Sequence, residues 1–170
     1  MRKAVLWLGL GIIALGWFAG RARPQAQPMS GFDRLKTLVG TWEAPGPQGK
    51  PLTSTIRLVS NGTALEEISQ SAEDDQMVTL YTPNGEGLAM THYCAAGNQP
   101  RMEAPAVATG DQKEFEFSLT GIANLANPSA GHMRHLLIQI ADDDHFTEKW
   151  TWRENGKDQF HTIHFKRTKS

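Results

Sequence analysis

The stretch HFTEKWTWRENGKDQFHTIHFKR, residues 145–167, contains two runs of strand-forming residues with Asn155-Gly156 between them. Asn-Gly between two such runs is the strongest short-range signal for a β-hairpin, because both central residues of the turn take a positive φ. Alternate side chains of a strand share one face. In the first run that rule groups a mostly aromatic set, Phe146, Glu148, Trp150 and Trp152. The stretch therefore predicts a hairpin that buries its aromatic face.

The same arrangement recurs along the rest of the chain. Turn-forming residues separate further strand-like runs at Asn61-Gly62, Asn84-Gly85, Gly110-Asp111 and Asp142-Asp143-Asp144. With residues 40–43 included, the pattern gives about nine or ten strands, and strands adjacent in sequence are expected to pair. Closing such a meander into a barrel removes its exposed edges, while a two-sheet sandwich is the alternative. We expect an all-β fold, an antiparallel meander closed into a barrel.

Two segments depart from the strand pattern. Residues 32–39 carry apolar side chains at helical spacing, which predicts one short helix capped by Ser30 or Asp33. Residues 120–131 form the longest predicted connection between strands. A loop of that length is often functional, although a plain crossing between strands would give the same pattern.

The N-terminus has the parts of a secretory signal in the required order. Arg2 and Lys3 precede an uncharged, mostly apolar run over residues 4–20, and small residues follow. A cut after Ala22 is favoured, and an uncleaved membrane anchor is the alternative. Both place the remainder outside the cytoplasm, in the periplasm or the medium. We predict a signal peptide or anchor over residues 1–26, a linker over 27–31 and one barrel domain over 32–170.

Charge and cysteine content narrow the range of partners. The net charge of −1 includes the basic N-terminus, so the remainder is more acidic and is not expected to bind nucleic acid. Contact with a membrane is expected only through an uncleaved N-terminal segment. Cys94 is the single cysteine and cannot form an internal disulfide. An unpaired thiol outside the cytoplasm is expected to be buried as a small hydrophobic group or to act as a ligand.

The segment LKTLVGTWE, residues 35–43, resembles the start of a calycin-type barrel, in which a short helix leads into Gly-x-Trp on the first strand. Gly40 and Trp42 match that pattern. Together with residues 91–102, 131–133 and 144–146, it makes the chain similar to an uncharacterised group of bacterial secreted lipocalin-like proteins, distantly similar to nitrobindin and fatty-acid-binding proteins. The resemblance implies a roughly nine- to ten-stranded calycin-like barrel with one short N-terminal helix, Trp42 across one end, and an interior able to hold a small ligand.

Two of these relatives imply particular ligands. Nitrobindins bind haem through a histidine on the last strand, where this chain offers His161 and His164 on opposite strand faces. Their opening has two Gly where this chain has Ala44 and Gly46, so no cofactor is predicted. Fatty-acid-binding proteins use an Arg within the cavity, a role that would fall here to Arg101. The alternative is that Arg101 belongs to a turn stabilised by its own hydrogen bonds.

Strand geometry limits which histidines can bind a metal. His92 and Cys94 are two residues apart and share a face, whereas His132 and His135 are three apart and do not. A site would need His132 or His145 to approach His92 and Cys94 from another strand. The alternative is that His92 is hydrogen-bonded inside the barrel and Cys94 is a packing residue. No metal ligand is assigned.

Glu148 is the charged residue on the aromatic face of its strand. If it is buried there, it needs a partner such as Arg101 or His92, or a raised pKa, and it marks the ligand end of the cavity. A position at the rim in water is the alternative. Met90 and Phe117 are expected to line the same cavity as the two tryptophans. The predicted ligand-binding residues are His92, Cys94, Arg101, His132, Glu148, Trp150 and Trp152.

Three kinds of function follow from these patterns. The first is an exported barrel that binds a small apolar or amphipathic ligand. The second is a metal- or haem-dependent protein, or an enzyme, that uses the barrel histidines. The third is a cell-envelope interaction protein with a filled barrel and an exposed apolar patch. The chain has no nucleophile elbow, His-Glu-x-x-His or phosphate loop, so no catalytic residue is predicted.

Overall fold

The computed structural model describes residues 30–46, 49–71, 76–106 and 112–168. The predicted signal or anchor over residues 1–26 lies outside the described residues, as does most of the predicted linker. In the part of the chain that the structure describes, no helix has the length and apolar character needed to cross a membrane.

One short helix precedes the strands, as expected. Helix α1 spans Gly31–Leu35 and continues as a 3-10 turn over Lys36–Leu38. The N–H of Asp33 donates to Oγ of Ser30 at 3.1 Å, so Ser30 is the N-cap. Phe32, Leu35 and Leu38 are buried against the barrel, which explains the helical spacing of these residues in the sequence.

The described residues form ten strands. They are β1 (Gly40–Pro45), β2 (Pro51–Val59), β3 (Ala64–Gln70), β4 (Met77–Asn84), β5 (Gly87–Tyr93), β6 (Gln99–Ala104), β7 (Glu114–Ala123), β8 (His132–Ile140), β9 (His145–Glu154) and β10 (Lys157–Arg167). Each strand pairs antiparallel with the next, and β1 pairs with β10. The predicted all-β meander closed into a barrel is therefore confirmed, and the sandwich alternative is excluded.

The turns follow the sequence at one hairpin and differ at two other places. Glu154 pairs with Lys157, and Asn155 and Gly156 take φ values of 50° and 74°, as the Asn-Gly signal requires. The turn at Asn61-Gly62 is longer, because it begins at Ser60 as a 3-10 turn. Strand β7 continues to Ala123, so the connection predicted over residues 120–131 begins only after that residue.

The barrel has a closed end where helix α1, the start of β1 and the end of β10 meet. Trp42 is fully buried there, and its Nε1 donates to the carbonyl of Leu38 at 2.8 Å. The guanidinium of Arg167 lies 4.0 Å from the Trp42 ring centroid and donates to the carbonyls of Val39 and Thr37. Gly40 has a φ of 148°, and a Cβ at this position would collide with the Arg167 guanidinium. These contacts explain the Gly-x-Trp pattern.

The two ends of the barrel are filled differently. Phe146 stacks on Phe165 and meets the edge of Trp42, both at 4.7 Å between ring centroids, so large rings fill the closed end. The open end is where β1, β3, β5, β7 and β9 finish. Its inner surface carries smaller and more polar residues, and a cavity is located there.

Candidate functional site

A cavity of about 510 Å³ opens at the open end of the barrel. Its inner wall includes Glu67, Thr79, His92, Glu148 and Trp150, all with at most 6% of their surface exposed. The remaining described residues on its wall and rim are Pro45, Gly46, Leu52, Ser69, Ser71, Met77, Met133, Phe160, His161, Thr162, Ile163 and Phe165. The cavity is mostly apolar with a polar floor, which is the usual composition of a small-molecule site.

The cavity also borders a gap between β1 and β10. These strands pair only at Trp42 with Arg167 and at Glu43 with Lys166, near the closed end. Toward the open end, Pro45 and Gly46 lie on one side of the cavity and Phe160 on the other, and no pairing joins the two described strands there. The incomplete closure gives the cavity a side opening.

Glu67 lies on β3 and is buried, with 3% of its surface exposed. Its Oε1 accepts from Oγ of Ser54 at 2.7 Å, and its Oε2 accepts from Oη of Tyr81 at 2.9 Å. Burial raises the pKa of the Glu67 carboxyl, while these two hydrogen bonds stabilise its charged form and partly oppose that rise. Burial also raises the pKa of Tyr81 well above 10.0, so the phenol keeps the proton that it donates.

Glu148 lies on β9 beside Glu67 and is equally buried. Its Oε2 accepts from Nε1 of Trp150 at 2.8 Å. Two buried carboxylates that lie side by side repel each other, so ionising both is unfavourable. Burial, and then the negative charge of Glu67, raise the pKa of Glu148 well above 4.5. The pair therefore holds a proton to higher pH than an exposed carboxyl does.

His92, on β5, is the third buried titratable group on the cavity floor. Its Nδ1 lies 2.9 Å from Oγ1 of Thr79, and its ring packs on Trp150 with 4.8 Å between centroids. Nε2 is buried without a hydrogen-bond partner among the described residues. Burial lowers the pKa of His92 to about 4, so the ring is neutral at pH values near 7.

The neutral His92 ring has two tautomers, and the Thr79 hydroxyl can pair with either. With the proton on Nδ1, the ring donates to Oγ1 of Thr79 and Nε2 is an acceptor. With the proton on Nε2, the Thr79 hydroxyl donates to Nδ1 instead. In both tautomers Nε2 has no partner among the described residues.

The structure brings three of the predicted site residues together on the cavity. These are His92, Glu148 and Trp150. Their role in ligand binding stays a prediction. The partners expected for Glu148 were wrong, because it contacts Trp150 and Glu67 rather than Arg101 or His92. The signal for its burial was correct, since the residues that alternate with it on β9, Phe146 and Trp150, are buried as well.

The other four predicted site residues do not line the cavity. Arg101 is exposed on the outer face of β6, because its neighbours Pro100 and Met102 are the ones that point inward. Cys94 lies half-buried in the turn after β5, where burial raises the pKa of its thiol. Nδ1 of His132 bonds to the carbonyl of Ala130 at 2.8 Å. Trp152 covers Gly131, where any Cβ would meet its ring.

Two further residues expected on the cavity wall belong to the packed core instead. Met90 and Phe117 are buried, with 2% and 0% of their surface exposed, but do not border the cavity. The cavity therefore occupies only the open end, on the side of β1 to β5 and β8 to β10.

The histidines do not assemble into a metal site. Within residues 30–46, 49–71, 76–106 and 112–168, no three His, Cys, Asp or Glu side chains lie close enough to hold a metal ion. His145 is exposed and pairs with Asp142 at 2.9 Å. His164 hydrogen bonds to Thr147, whereas His161 borders the cavity. The two C-terminal histidines thus lie on opposite faces of β10, as their spacing predicts.

Glu67 is the site residue that sequence reasoning missed. It belongs to the run Leu65-Glu66-Glu67-Ile68 on β3, where one of two adjacent glutamates has to face inward. Leu65 is buried and shares a face with Glu67, so the alternation contained the signal. The sequence alone could not show that Glu67 meets Glu148, because the two residues lie on strands far apart in the chain.

Comparison with known proteins adds information about the fold alone. No protein-family model and no curated protein matches the chain. The crystal structure of Rv2717c from M. tuberculosis is similar, with a TM-score of 0.56 and 16% sequence identity. The match covers 81% of this chain and 97% of that one. At this identity the likeness is one of architecture, and the arrangement of Glu67, Glu148 and His92 is argued from this chain itself.

Proposed function

We propose that this protein binds one small, mostly apolar ligand in the cavity at the open end of its barrel. The observation that carries the proposal is the combination of an apolar wall with buried polar atoms that have no other partner, Nε2 of His92 and Oε1 of Glu148. An unpaired buried polar atom costs about 1–3 kcal/mol. A ligand that hydrogen bonds to such an atom recovers that cost, so these atoms fit a binding site better than a filled core.

The size and walls of the cavity support the same proposal. Its volume of about 510 Å³ falls within the range of roughly 300–1,000 Å³ that is usual for small-molecule pockets. Apolar side chains from strands on both sides provide most of its wall, namely Leu52, Met77, Met133, Ile163 and Phe165. The gap between β1 and β10 provides a route by which a ligand can reach the floor.

The proposed setting is outside the cytoplasm. The signal-type pattern of residues 1–26 supports export, and a barrel of this architecture supports membership of the secreted lipocalin-like group that the sequence resembles. A binding protein in the periplasm or the medium would bind its ligand without a covalent step. No catalytic group is needed for that function.

Filling the cavity tests the proposal. Ser69 lies on β3 and borders the cavity, so Ser69→Phe places a ring in the space that the ligand would occupy. Titration of the purified protein with the neutral fluorophore N-phenylnaphthylamine should show saturable binding by the wild type. Ser69→Phe should weaken it at least about tenfold, equivalent to about 1.4 kcal/mol.

The matched control is Ser118→Phe, on β7. Ser118 is exposed on the outer face of the barrel, so the same substitution there leaves the cavity unchanged. Equal affinities for the wild type and both variants, or no saturable binding by the wild type, would overturn the proposed function. Native mass spectrometry of protein purified from its own compartment would then identify any co-purifying molecule.

A further inference from the structure

The charged groups on the cavity wall all have the same sign. Among the described residues that border the cavity there is no Lys and no Arg, while two carboxyl groups, Glu67 and Glu148, lie on its floor. Arg101, the residue expected to hold an anionic headgroup, is on the outer face of the barrel. A ligand carboxylate would therefore be buried beside carboxyl groups without a counter-ion, which is strongly unfavourable.

We propose that the ligand is an amphipathic amine, whose protonated nitrogen binds at the Glu67–Glu148 pair and whose apolar part occupies the outer cavity. This inference rests on the proposed function and adds the chemical class of the ligand. An alkylammonium group carries a positive charge and several N–H donors on a short apolar stem. It matches a cavity that has acceptors on its floor and apolar side chains on its wall.

The unpaired atoms on the floor are acceptors. Nε2 of His92 is an unpaired acceptor in the tautomer whose Nδ1 donates to Thr79. Oε1 of Glu148 has no hydrogen-bond partner among the described residues. The remaining oxygens of the pair already accept from Ser54, Tyr81 and Trp150. An ammonium group that donates to Glu148 and His92 would complete the network.

Binding of the amine replaces a proton. Without ligand, burial and the proximity of the two carboxyl groups, Glu67 and Glu148, favour a proton on one of them. An ammonium group beside Oε1 supplies the positive charge in its place and stabilises both carboxylates. No covalent bond forms or breaks, and the proton leaves to solvent. Amine affinity should therefore rise with pH as long as the amine stays protonated.

Two other titratable groups that face the pair, Tyr81 and His92, keep one protonation state over the relevant range. Tyr81 on β4 holds its proton, because burial raises the pKa of the phenol well above 10.0. His92 on β5 stays neutral, because burial lowers its pKa to about 4. On β10, His161 lies opposite Trp150 and Ile163 lies opposite Glu148. His161 is therefore two residues nearer the open end than the position opposite Glu148. The side chains that point inward from β6, β7 and β8 beside the floor are apolar.

Three ligands with the same chain length test the proposal. Octylamine, octanol and octanoate compete separately with bound N-phenylnaphthylamine near neutral pH. We expect octylamine to bind at least about tenfold more tightly than octanol, because a hydrogen bond to a charged group is stronger than one between neutral groups. Octanoate should bind more weakly than octanol. The ratio of octylamine to octanol affinity should increase between about pH 6 and about pH 8.

Variants locate the effect at the pair. Glu148→Gln keeps the shape of the side chain but has no carboxylate to offer, so octylamine should bind it no better than octanol does, while octanol affinity changes by less than about twofold. Glu67→Gln is a second variant on the other side of the pair and should behave in the same way. Glu103→Gln is the matched control, because Glu103 is exposed on the outer face of β6.

The outcomes separate this inference from the proposed function. If the fluorophore binds but octanol or octanoate competes as well as octylamine, the cavity is a binding site and the amine assignment is wrong. Retention of the amine preference by both glutamine variants would also overturn it. If neither the fluorophore nor any of the three ligands binds, the proposed function itself fails.

Discussion

Glu148 shows how one residue can reduce the stability of a barrel. Its carboxyl is buried, next to a second carboxyl, and is most easily accommodated as the neutral acid. A group selected for folding alone would be apolar here, since a buried carboxyl pair adds desolvation cost without a counter-ion. The cost is understandable if the pair has a ligand to bind.

Glu148→Gln should make stability less dependent on pH. Because the pKa of Glu148 is above 4.5 in the folded protein, the unfolded chain loses this proton first, and wild-type stability falls as the pH rises above that value. Glutamine has no proton to lose. We expect the variant to match the wild type near pH 4 and to exceed it by roughly 1–3 kcal/mol near pH 8. Urea unfolding at both pH values provides the measurement.

Two comparisons identify the source of that effect. His92 has a lowered pKa, so protonation of its ring destabilises both proteins equally at low pH and cancels in the difference. Glu103→Gln removes an exposed carboxyl and should leave the pH dependence of the wild type unchanged. A stability difference for Glu148→Gln that stays constant from low to high pH would contradict the buried-acid interpretation.

At the residue scale, alternation predicted burial better than it predicted partners. The alternation of side chains along a strand correctly placed Phe146, Glu148 and Trp150 on one buried face, because that placement depends only on local strand geometry. The same rule applied near a strand end misplaced Cys94, since β5 finishes at Tyr93 and the alternation ends with it. The partner of Glu148 depends on which strands meet across the barrel, and that is a property of the closed sheet.

At the scale of elements, β10 differs from the other strands. It pairs along almost its whole length with β9 but at only two positions with β1. Phe160 lies on the part that faces the gap and has 77% of its surface exposed. The hairpin signal at Asn155-Gly156 predicted the β9–β10 pairing, whereas nothing local in the sequence reports how far β1 and β10 pair.

Hydrogen exchange should reveal this one-sided pairing. Amides of residues 157–164 that point away from β9 have no acceptor in the described part of β1, so we expect them to exchange at least about 100-fold faster than the amides of β8. Strand β8 is paired on both sides and serves as the internal comparison. Mass spectrometry of peptides from the two strands gives the rates. Equal protection of both strands would show that the gap is closed in solution.

At the scale of the whole molecule, the closed and open ends of the barrel are packed differently. The closed end is filled by Trp42, Phe146 and Phe165, and Arg167 stabilises it by hydrogen bonding to the chain before β1. The open end is left with a cavity of about 510 Å³. Stability gained by dense packing at one end allows the other end to keep unfilled space and buried acids.

The N-terminal segment adds a prediction about where the molecule works. Arg2 and Lys3 followed by the uncharged run of residues 4–20 have the order that export requires, so we expect residues 1–29 to carry a fused alkaline phosphatase out of a bacterial cytoplasm. That reporter is active only where its disulfides can form. Leu10→Arg places a charge in the apolar run and should abolish the activity, whereas Gln27→Arg lies beyond the run and should leave it intact. An inactive wild-type fusion would place the barrel and its ligand in the cytoplasm instead, and full activity of the Leu10→Arg fusion would show that the apolar run is not the export signal.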